Sequence, residues 1–139
     1  MTTSEDLIGV WRLVSFEADD ENDDVVHPFG EPPDGRLVYT SDGIMSAHLG
    51  AADRPPFRRM GDNAGERALA AMKTHFSYAG RWRLEGDRVI HDVDMSISPD
   101  WVGAEKVRTV AFDGADMILT DHDPGGRLKV GRLRWRREK

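Results

Sequence analysis

The 139-residue sequence contains no cysteine, and its absence excludes disulfide bonds, thiolate metal sites and cysteine nucleophiles. The sequence also lacks a long apolar run. No segment approaches the roughly 18 apolar residues that indicate a membrane-spanning helix. The first residues, Met1 to Asp6, carry no basic side chain and no apolar stretch of the kind found in secretory signals. We therefore expect a cytoplasmic protein.

Motifs that hold phosphates or dinucleotides are absent as well, because no glycine-rich phosphate loop follows a predicted strand. Five histidines are available as metal ligands. However, the His91-Asp92 and Asp121-His122-Asp123 runs lie in predicted strands or at their ends. Neighbouring side chains of a strand point to opposite faces, so neither run forms a metal site by itself. We predict neither a cofactor nor a metal.

Charge of one sign dominates each end of the chain. The net charge is −6, which argues against general nucleic-acid binding. Residues 1–34 are strongly acidic and residues 127–139 are strongly basic. The alternating arginines near the carboxyl end are typical of a solvated strand face. The two regions would attract each other if the ends of the chain meet.

Strand patterns rich in β-branched and aromatic residues recur along most of the chain, separated by turns such as Ser41-Asp42-Gly43 and Asp113-Gly114. Eight strands are predicted, at residues 9–17, 36–40, 44–49, 78–84, 88–95, 106–112, 117–120 and 128–136. Short strands at this spacing favour an antiparallel up-and-down barrel, in which the first strand pairs with the last. We therefore predict a mainly β protein in which residues 1–139 form one barrel domain.

One helix is predicted between the third and fourth strands, at about residues 63–76. Asn63 is its expected N-cap and Glu66 the capping-box partner. Its apolar residues recur at helical spacing and would lie on one face: Leu69, Met72 and Phe76. This face would pack on the barrel or cap one end. Together with the arginine-rich loop at residues 54–59, the helix could also serve as a lid.

These segments resemble the lipocalin-like domain family of bacterial and fungal proteins. The matching residues are 7–16, 28–30, 35–40, 43–47, Arg54, Phe57, 78–80, 91–96, 99–103 and Arg108. The resemblance implies an eight-stranded barrel with room for a ligand, in which Trp11 of the Gly9-Val10-Trp11 element plugs one end. Some such barrels bind ligands and others act as isomerases or cyclases in secondary metabolism, so the fold alone does not decide the function.

Alternation along the strands predicts that three polar side chains point inward among apolar ones. His91 shares a face with Val89, Val93 and Met95, Arg108 with Val110 and Phe112, and Tyr39 with Leu37. A bulge would reverse any of these assignments. A buried arginine is costly unless it is paired or meets an anion, so this cluster is a candidate binding site.

The predicted ligand-binding residues are Tyr39, Ser46, Trp82, His91 and Arg108. His91 and Arg108 are also the candidate catalytic residues, since a histidine can transfer a proton near neutral pH and an arginine can stabilise an enolate. Trp101 could also line the pocket. The alternative is purely structural, with His91 and Arg108 hydrogen-bonded within the barrel wall.

Three functions stay open at this stage. The leading one is binding of an apolar or weakly anionic metabolite inside the barrel. The second is an isomerase or cyclase of secondary metabolism that uses the same pocket, and the sequence does not decide whether the protein is an enzyme. The third is an interaction module that uses the basic outer face. The expected partner is a small hydrophobic ligand, with no nucleic acid and no membrane, and the choice between monomer and homodimer is open.

Overall fold

The computed structural model describes residues 1–56 and 64–139. Within them the strands are β1 (Gly9–Asp20), β2 (Val25–Val26), β3 (Pro33–Tyr39), β4 (Ile44–Ala51), β5 (His75–Glu85), β6 (Arg88–Ser96), β7 (Glu105–Asp113), β8 (Asp116–Asp121) and β9 (Leu128–Arg137). The helices are α1 (Ser4–Leu7) and α2 (Ala64–Lys73), and a 3₁₀ turn spans Pro99–Trp101.

The strands form a closed antiparallel barrel. From β3 to β9 each strand pairs with the next, β1 pairs with β3, and β1 also pairs with β9 to close the sheet. The two-residue strand β2 is an addition beside β1 and lies outside the eight-stranded ring. The prediction of an eight-stranded up-and-down barrel whose first strand pairs with its last is therefore confirmed, and α2 lies between its third and fourth strands.

The β1–β9 seam brings the acidic and basic ends of the chain together. The Arg132 guanidinium donates to both carboxylate oxygens of Asp19, at 3.0 and 2.8 Å. Arg134 and Arg136 both donate to the Asp116 carboxylate, each at 2.9 Å. The outer face of β9 therefore carries mixed charge, with these arginines paired, rather than a bare basic stripe.

One end of the barrel is closed around Trp11. Its side chain is 1% exposed, and its indole N–H donates to the Leu7 carbonyl of α1 at 2.9 Å. The Arg137 guanidinium covers the ring at 4.2 Å and donates to the carbonyl oxygens of Ile8 and Asp6. Trp11 thus fills the end of the barrel under α1, as the resemblance implies.

A bulge in β6 reverses the predicted direction of Met95. Gly80 pairs with Val93, and the residue before Gly80 pairs with Met95, so Asp94 is an extra residue in β6. A Cβ at position 80 would lie 1.9 Å from the Asp92 carbonyl oxygen, so only glycine allows the strands to approach this closely. Met95 is 62% exposed, and its predicted inward orientation is wrong.

Phe112 pairs with Met117, which is fully buried, so it lies on the inward face of the sheet, as the alternation predicts. Phe112 lies near the end of β7, beside the turn to β8, and it is 38% exposed. Its ring centre lies 6.5 Å from that of Trp11. Phe112 therefore packs beside Trp11 at the rim of the closed end, where it stays partly exposed.

The helix is shorter than predicted, because α2 ends before Phe76. Phe76 belongs to β5 and pairs with Leu49 of β4, so strand pairing prevails over the helical spacing. Leu69 and Met72 are each 53% exposed and do not bury an apolar face against the barrel. The predicted packing of the three residues on one helical face is therefore wrong. Asn63, the predicted N-cap, lies outside the described residues.

Candidate ligand-binding site

A cavity of about 320 Å³ lies in the half of the barrel opposite Trp11. Its wall is mainly apolar and includes the aromatic side chains of Phe16, Phe29, Phe76, Tyr78, Trp101 and Trp135. Its polar lining residues are His91, Arg108 and Asp121. A mainly apolar cavity of this size, with a few converging polar groups, is typical of a small-molecule site.

One side of the cavity is an aromatic cluster. The Trp101 ring lies 4.6 Å from Phe76 and 5.1 Å from Tyr78, measured between ring centres. The 3₁₀ turn after Ser98 carries Trp101 to this position, and Lys106 covers its ring at 4.2 Å. The three rings are tilted by 54–57° to one another and present apolar surface to the cavity.

His91 lies between two tyrosine hydroxyl groups at the base of the cavity. The Tyr39 oxygen is 2.6 Å from Nε2 of His91, and the Tyr78 oxygen is 2.8 Å from Nδ1. The histidine is 1% exposed. Burial, reinforced by the nearby Arg108 charge, lowers the pKa of His91 to about 3. The imidazole is therefore neutral at neutral pH.

Both tyrosines also stay protonated. Burial raises the pKa of Tyr39 well above its ordinary value, with a further increase from Tyr78, and the Arg108 charge offsets part of it. Burial raises the pKa of Tyr78 too, again partly offset by Arg108. Each hydroxyl therefore has one hydrogen to donate.

Arg108 is paired inside the barrel. Its guanidinium lies 3.4 Å from the Asp121 carboxylate, and both side chains are largely buried. It also donates to the Val107 carbonyl at 3.2 Å. Since the histidine and the tyrosines are neutral, the two charges of this pair cancel and the cluster has no net charge.

The residues predicted for the site are found in three different places. His91 and Arg108 lie together in the cavity wall. Tyr39 is fully buried behind His91, and Trp82 packs against Tyr39 with ring centres 4.7 Å apart. Among the described residues, the cavity lining includes neither of them. Ser46 lies on the outer side of β4, where its hydroxyl is 3.5 Å from Nε2 of His48.

Sequence reasoning did not place Tyr78 and Asp121 in the site. The signal for each was present in the strand alternation. Tyr78 alternates with Gly80 and Trp82, and Trp82 was itself a candidate. Asp121 alternates with two apolar residues of β8 that are buried, Met117 and Leu119. Asp121 could have been found by searching the neighbouring strand for an inward-facing carboxylate that pairs with Arg108.

The helix and the loop before it do not reach this cavity within the described part of the chain. Arg54 instead donates to the Ala71 carbonyl at 3.0 Å and to the Thr74 hydroxyl, which ties the loop to the end of α2. Across residues 1–56 and 64–139, no three histidine or carboxylate side chains lie close enough to hold a metal ion. None of the helices in these ranges has the length and apolar character needed to cross a membrane.

A closed eight-stranded antiparallel barrel with an interior cavity is the architecture of lipocalin-like proteins. The chain belongs to the lipocalin-like domain family, whose family model matches residues 8–138.

Two individual proteins are similar to the chain. The 4'-hydroxy-3'-methoxypropiophenone carrier protein of Aspergillus oryzae is 30% identical over 83 residues, which cover 52% of this chain and 75% of that protein. A lipocalin-like protein of Bacteroides uniformis, known from a crystal structure, is 12% identical with a TM-score of 0.48. That alignment covers 96% of this chain and 99% of the other.

Proposed function

We propose that the protein binds an uncharged, largely apolar aromatic compound inside its barrel and acts as a binding or carrier protein. The observation that supports this most directly is the cavity of about 320 Å³, with its aromatic walls and a polar cluster at its base. Aromatic side chains stack with flat rings, while a few polar groups fix the orientation of a ligand.

The charge balance of the cluster favours an uncharged ligand. Asp121 already compensates the Arg108 charge at 3.4 Å. A ligand carboxylate would have to compete with Asp121 and would lie close to it, which costs electrostatic energy in a buried site. Of the apolar and weakly anionic ligands that the sequence suggests, the neutral ones therefore fit this cavity better.

The similarity to the Aspergillus oryzae carrier suggests a chemical class to test first. That protein is named for a propiophenone, which is an aromatic ring bearing a ketone. A molecule of this class has a flat apolar ring and a neutral ketone oxygen that accepts hydrogen bonds; the named compound also carries a hydroxyl and a methoxy group. The ring and the ketone oxygen fit a cavity lined by aromatic rings with the Tyr78 hydroxyl at its base.

Binding is favoured over proton-transfer catalysis because of the environment of His91. A general base works best when its pKa lies near the operating pH. The pKa of His91 is lowered to about 3, mainly by burial, and both ring nitrogens are already occupied by tyrosine hydroxyls. A histidine held in this way fixes the cavity wall and is poorly suited to accept a proton.

The test is a titration of the protein with 4'-hydroxy-3'-methoxypropiophenone, followed by isothermal calorimetry and by tryptophan fluorescence. We expect saturable binding with one site per chain. We also expect a change in fluorescence, because Trp101 and Trp135 line the cavity. Native mass spectrometry of gently purified protein would then identify any compound that is retained from the cell.

Two variants, each with leucine in place of an alanine, test where the ligand binds. Ala47 lines the cavity and Ala111 is exposed on β7. Ala47→Leu fills part of the cavity and should weaken binding about tenfold or more, whereas Ala111→Leu should leave it unchanged. Equal binding by both variants, or the absence of saturable binding in the wild type, would contradict the proposed function.

A further inference from the structure

The hydrogen bonds around His91 determine which tyrosine is left with a free hydrogen. A neutral imidazole has one N–H donor and one acceptor nitrogen. Since each ring nitrogen faces one tyrosine hydroxyl, His91 must donate to one tyrosine and accept from the other. Two arrangements satisfy this condition, and they differ in which tyrosine keeps an unused hydrogen.

In the first arrangement Tyr39 accepts from Nε2–H of His91, and its own hydrogen needs another acceptor. Tyr39 is 1% exposed, and its hydroxyl has no hydrogen-bond partner other than His91 among the residues that the structure describes. It also lies outside the cavity lining. A buried hydroxyl without an acceptor loses its hydrogen bond to water and gains none in return, so this arrangement is unfavourable.

In the second arrangement Tyr39 donates to Nε2, and Nδ1–H of His91 donates to the Tyr78 oxygen. Tyr78 lines the cavity. Its hydroxyl hydrogen is then the unused one. The other group that hydrogen-bonds to this hydroxyl, the Arg108 guanidinium, only donates, and within the described ranges no protein acceptor is hydrogen-bonded to it. A bound molecule in the cavity can supply that acceptor.

We infer that Tyr78 is a hydrogen-bond donor that the barrel offers to its ligand, beside the indole N–H of Trp135, which lines the same cavity and has no partner among the described residues. The ligand is therefore an uncharged aromatic molecule with an oxygen acceptor, such as an aryl ketone, aldehyde or ester. His91 acts as a positioning residue, because its Nδ1–H tautomer directs the Tyr78 hydrogen toward the cavity. This inference rests on the proposed function and adds the donor and the chemical group that it selects.

The first test reads the histidine tautomer and needs no ligand. In protein labelled with ¹⁵N histidine, the two ring-nitrogen chemical shifts distinguish the protonated nitrogen from the bare one. A His91→Gln spectrum assigns the His91 signals. We expect the Nδ1–H tautomer at neutral pH, and an Nε2–H tautomer would overturn the inference.

The second test compares two probes of similar shape, propiophenone and propylbenzene, which differ in the ketone oxygen. The hydrocarbon leaves water more readily than the ketone, so the quantity compared between variants is the ketone preference, defined as the ketone-to-hydrocarbon affinity ratio. One net hydrogen bond from Tyr78 raises this preference roughly three- to tenfold. Tyr78→Phe should lower it by that factor by weakening only the ketone. Ser77→Ala is the matched control, because Ser77 neighbours Tyr78 on the opposite face of β5, and it should keep the preference.

The carbonyl stretch of ¹³C-labelled propiophenone gives a readout in the unmodified protein, should Tyr78→Phe fail to fold. Infrared difference spectra should show a lower frequency for the bound ketone than for the ketone in hexane. An unchanged ketone preference in Tyr78→Phe, or an unshifted carbonyl band, would overturn the role of Tyr78 while leaving the binding function intact. Failure of both probes to bind would overturn the proposed function and this inference together.

Discussion

The two ends of the barrel are built from similar residues and packed in opposite ways. At the closed end Leu7, Trp11, Met45 and Met117 are at most 1% exposed and fill the space between the strands. At the cavity end the aromatic side chains of Phe16, Phe76 and Trp101 are only partly buried and face an unfilled volume. The closed end thus supplies packing energy, and the cavity end leaves apolar surface that a ligand can cover.

The two halves of the barrel therefore contribute differently, one to stability and the other to the availability of the cavity. Close packing at the Trp11 end keeps the barrel closed whether or not a ligand is bound. Incomplete packing at the other end lowers stability but keeps a site available, and a ligand that binds only the folded state restores stability through linkage. Stability and binding should therefore respond to substitutions at different ends.

The largest effect is expected from Trp11→Ala at the closed end. Removing a buried tryptophan leaves a large cavity and costs about 3–5 kcal/mol of unfolding free energy. Trp101→Ala should cost clearly less in the ligand-free protein, because Trp101 is partly exposed and already borders unfilled space. Urea unfolding of both variants measures this contrast. Equal losses would mean that the cavity end is packed as tightly as the closed end.

A smaller effect is expected when the pH falls, and it tests the polar cluster at the base of the cavity. The pKa of His91 is about 3 in the folded protein, against an ordinary value of 6.5, so the unfolded chain binds the proton first. The contribution of neutral His91 to the free energy of unfolding is fully present above about pH 6.5 and decreases as the pH falls toward 3. Between pH 6.5 and 4.5 the loss is about 2–3 kcal/mol.

Urea unfolding at several pH values in that window measures the slope, with two histidine variants as controls. His91→Gln should remove most of the pH dependence. Burial also lowers the pKa of His75, which is less buried, so His75→Gln should remove only a small part. A pH dependence that survives in His91→Gln would contradict the assignment to His91.

The smallest effect is expected on the outer surface of the barrel. Arg12 and Asp34 form an exposed pair at 3.0 Å, and such pairs contribute less than about 1 kcal/mol. Asp34→Asn should therefore change stability little, whereas Asp121→Asn leaves Arg108 buried without its carboxylate. Thermal unfolding of the two variants compares an outer and an inner pair of similar chemistry. A similar change for both would show that the inner pair is effectively solvated.

Strand alternation predicted the barrel and much of the cavity wall because both faces of a strand leave a pattern in the sequence. His91 and Arg108 stand among apolar neighbours at every second position, so their inward position was readable. The same rule failed at Met95, because the bulge at Asp94 shifts the register, and a single extra residue gives little warning in the sequence. In the sequence, Gly80 is the one residue that indicates the close approach of β5 and β6.

The rest of the site depends on contacts between distant strands. Tyr39, Tyr78 and His91 come from three different strands, and only the three-dimensional fold reveals that two hydroxyls share one imidazole. Helical spacing was misleading at Phe76, because the pattern continues for one turn into a segment that pairs as a strand. Periodicity describes a segment by itself, whereas the site depends on which segments become neighbours.

The β1–β9 seam has a consequence for how fast the barrel forms. It joins residues from opposite ends of the sequence, such as Leu13 with Trp135, whereas most other strand pairs are joined by short turns. Closing so long a loop costs chain entropy before any contact across the seam is gained, and non-local pairings of this kind slow folding. We therefore expect hairpins to form first and the closure of the seam to set the folding rate, so that substitutions along β9 should slow refolding more than substitutions in the β3–β4 hairpin.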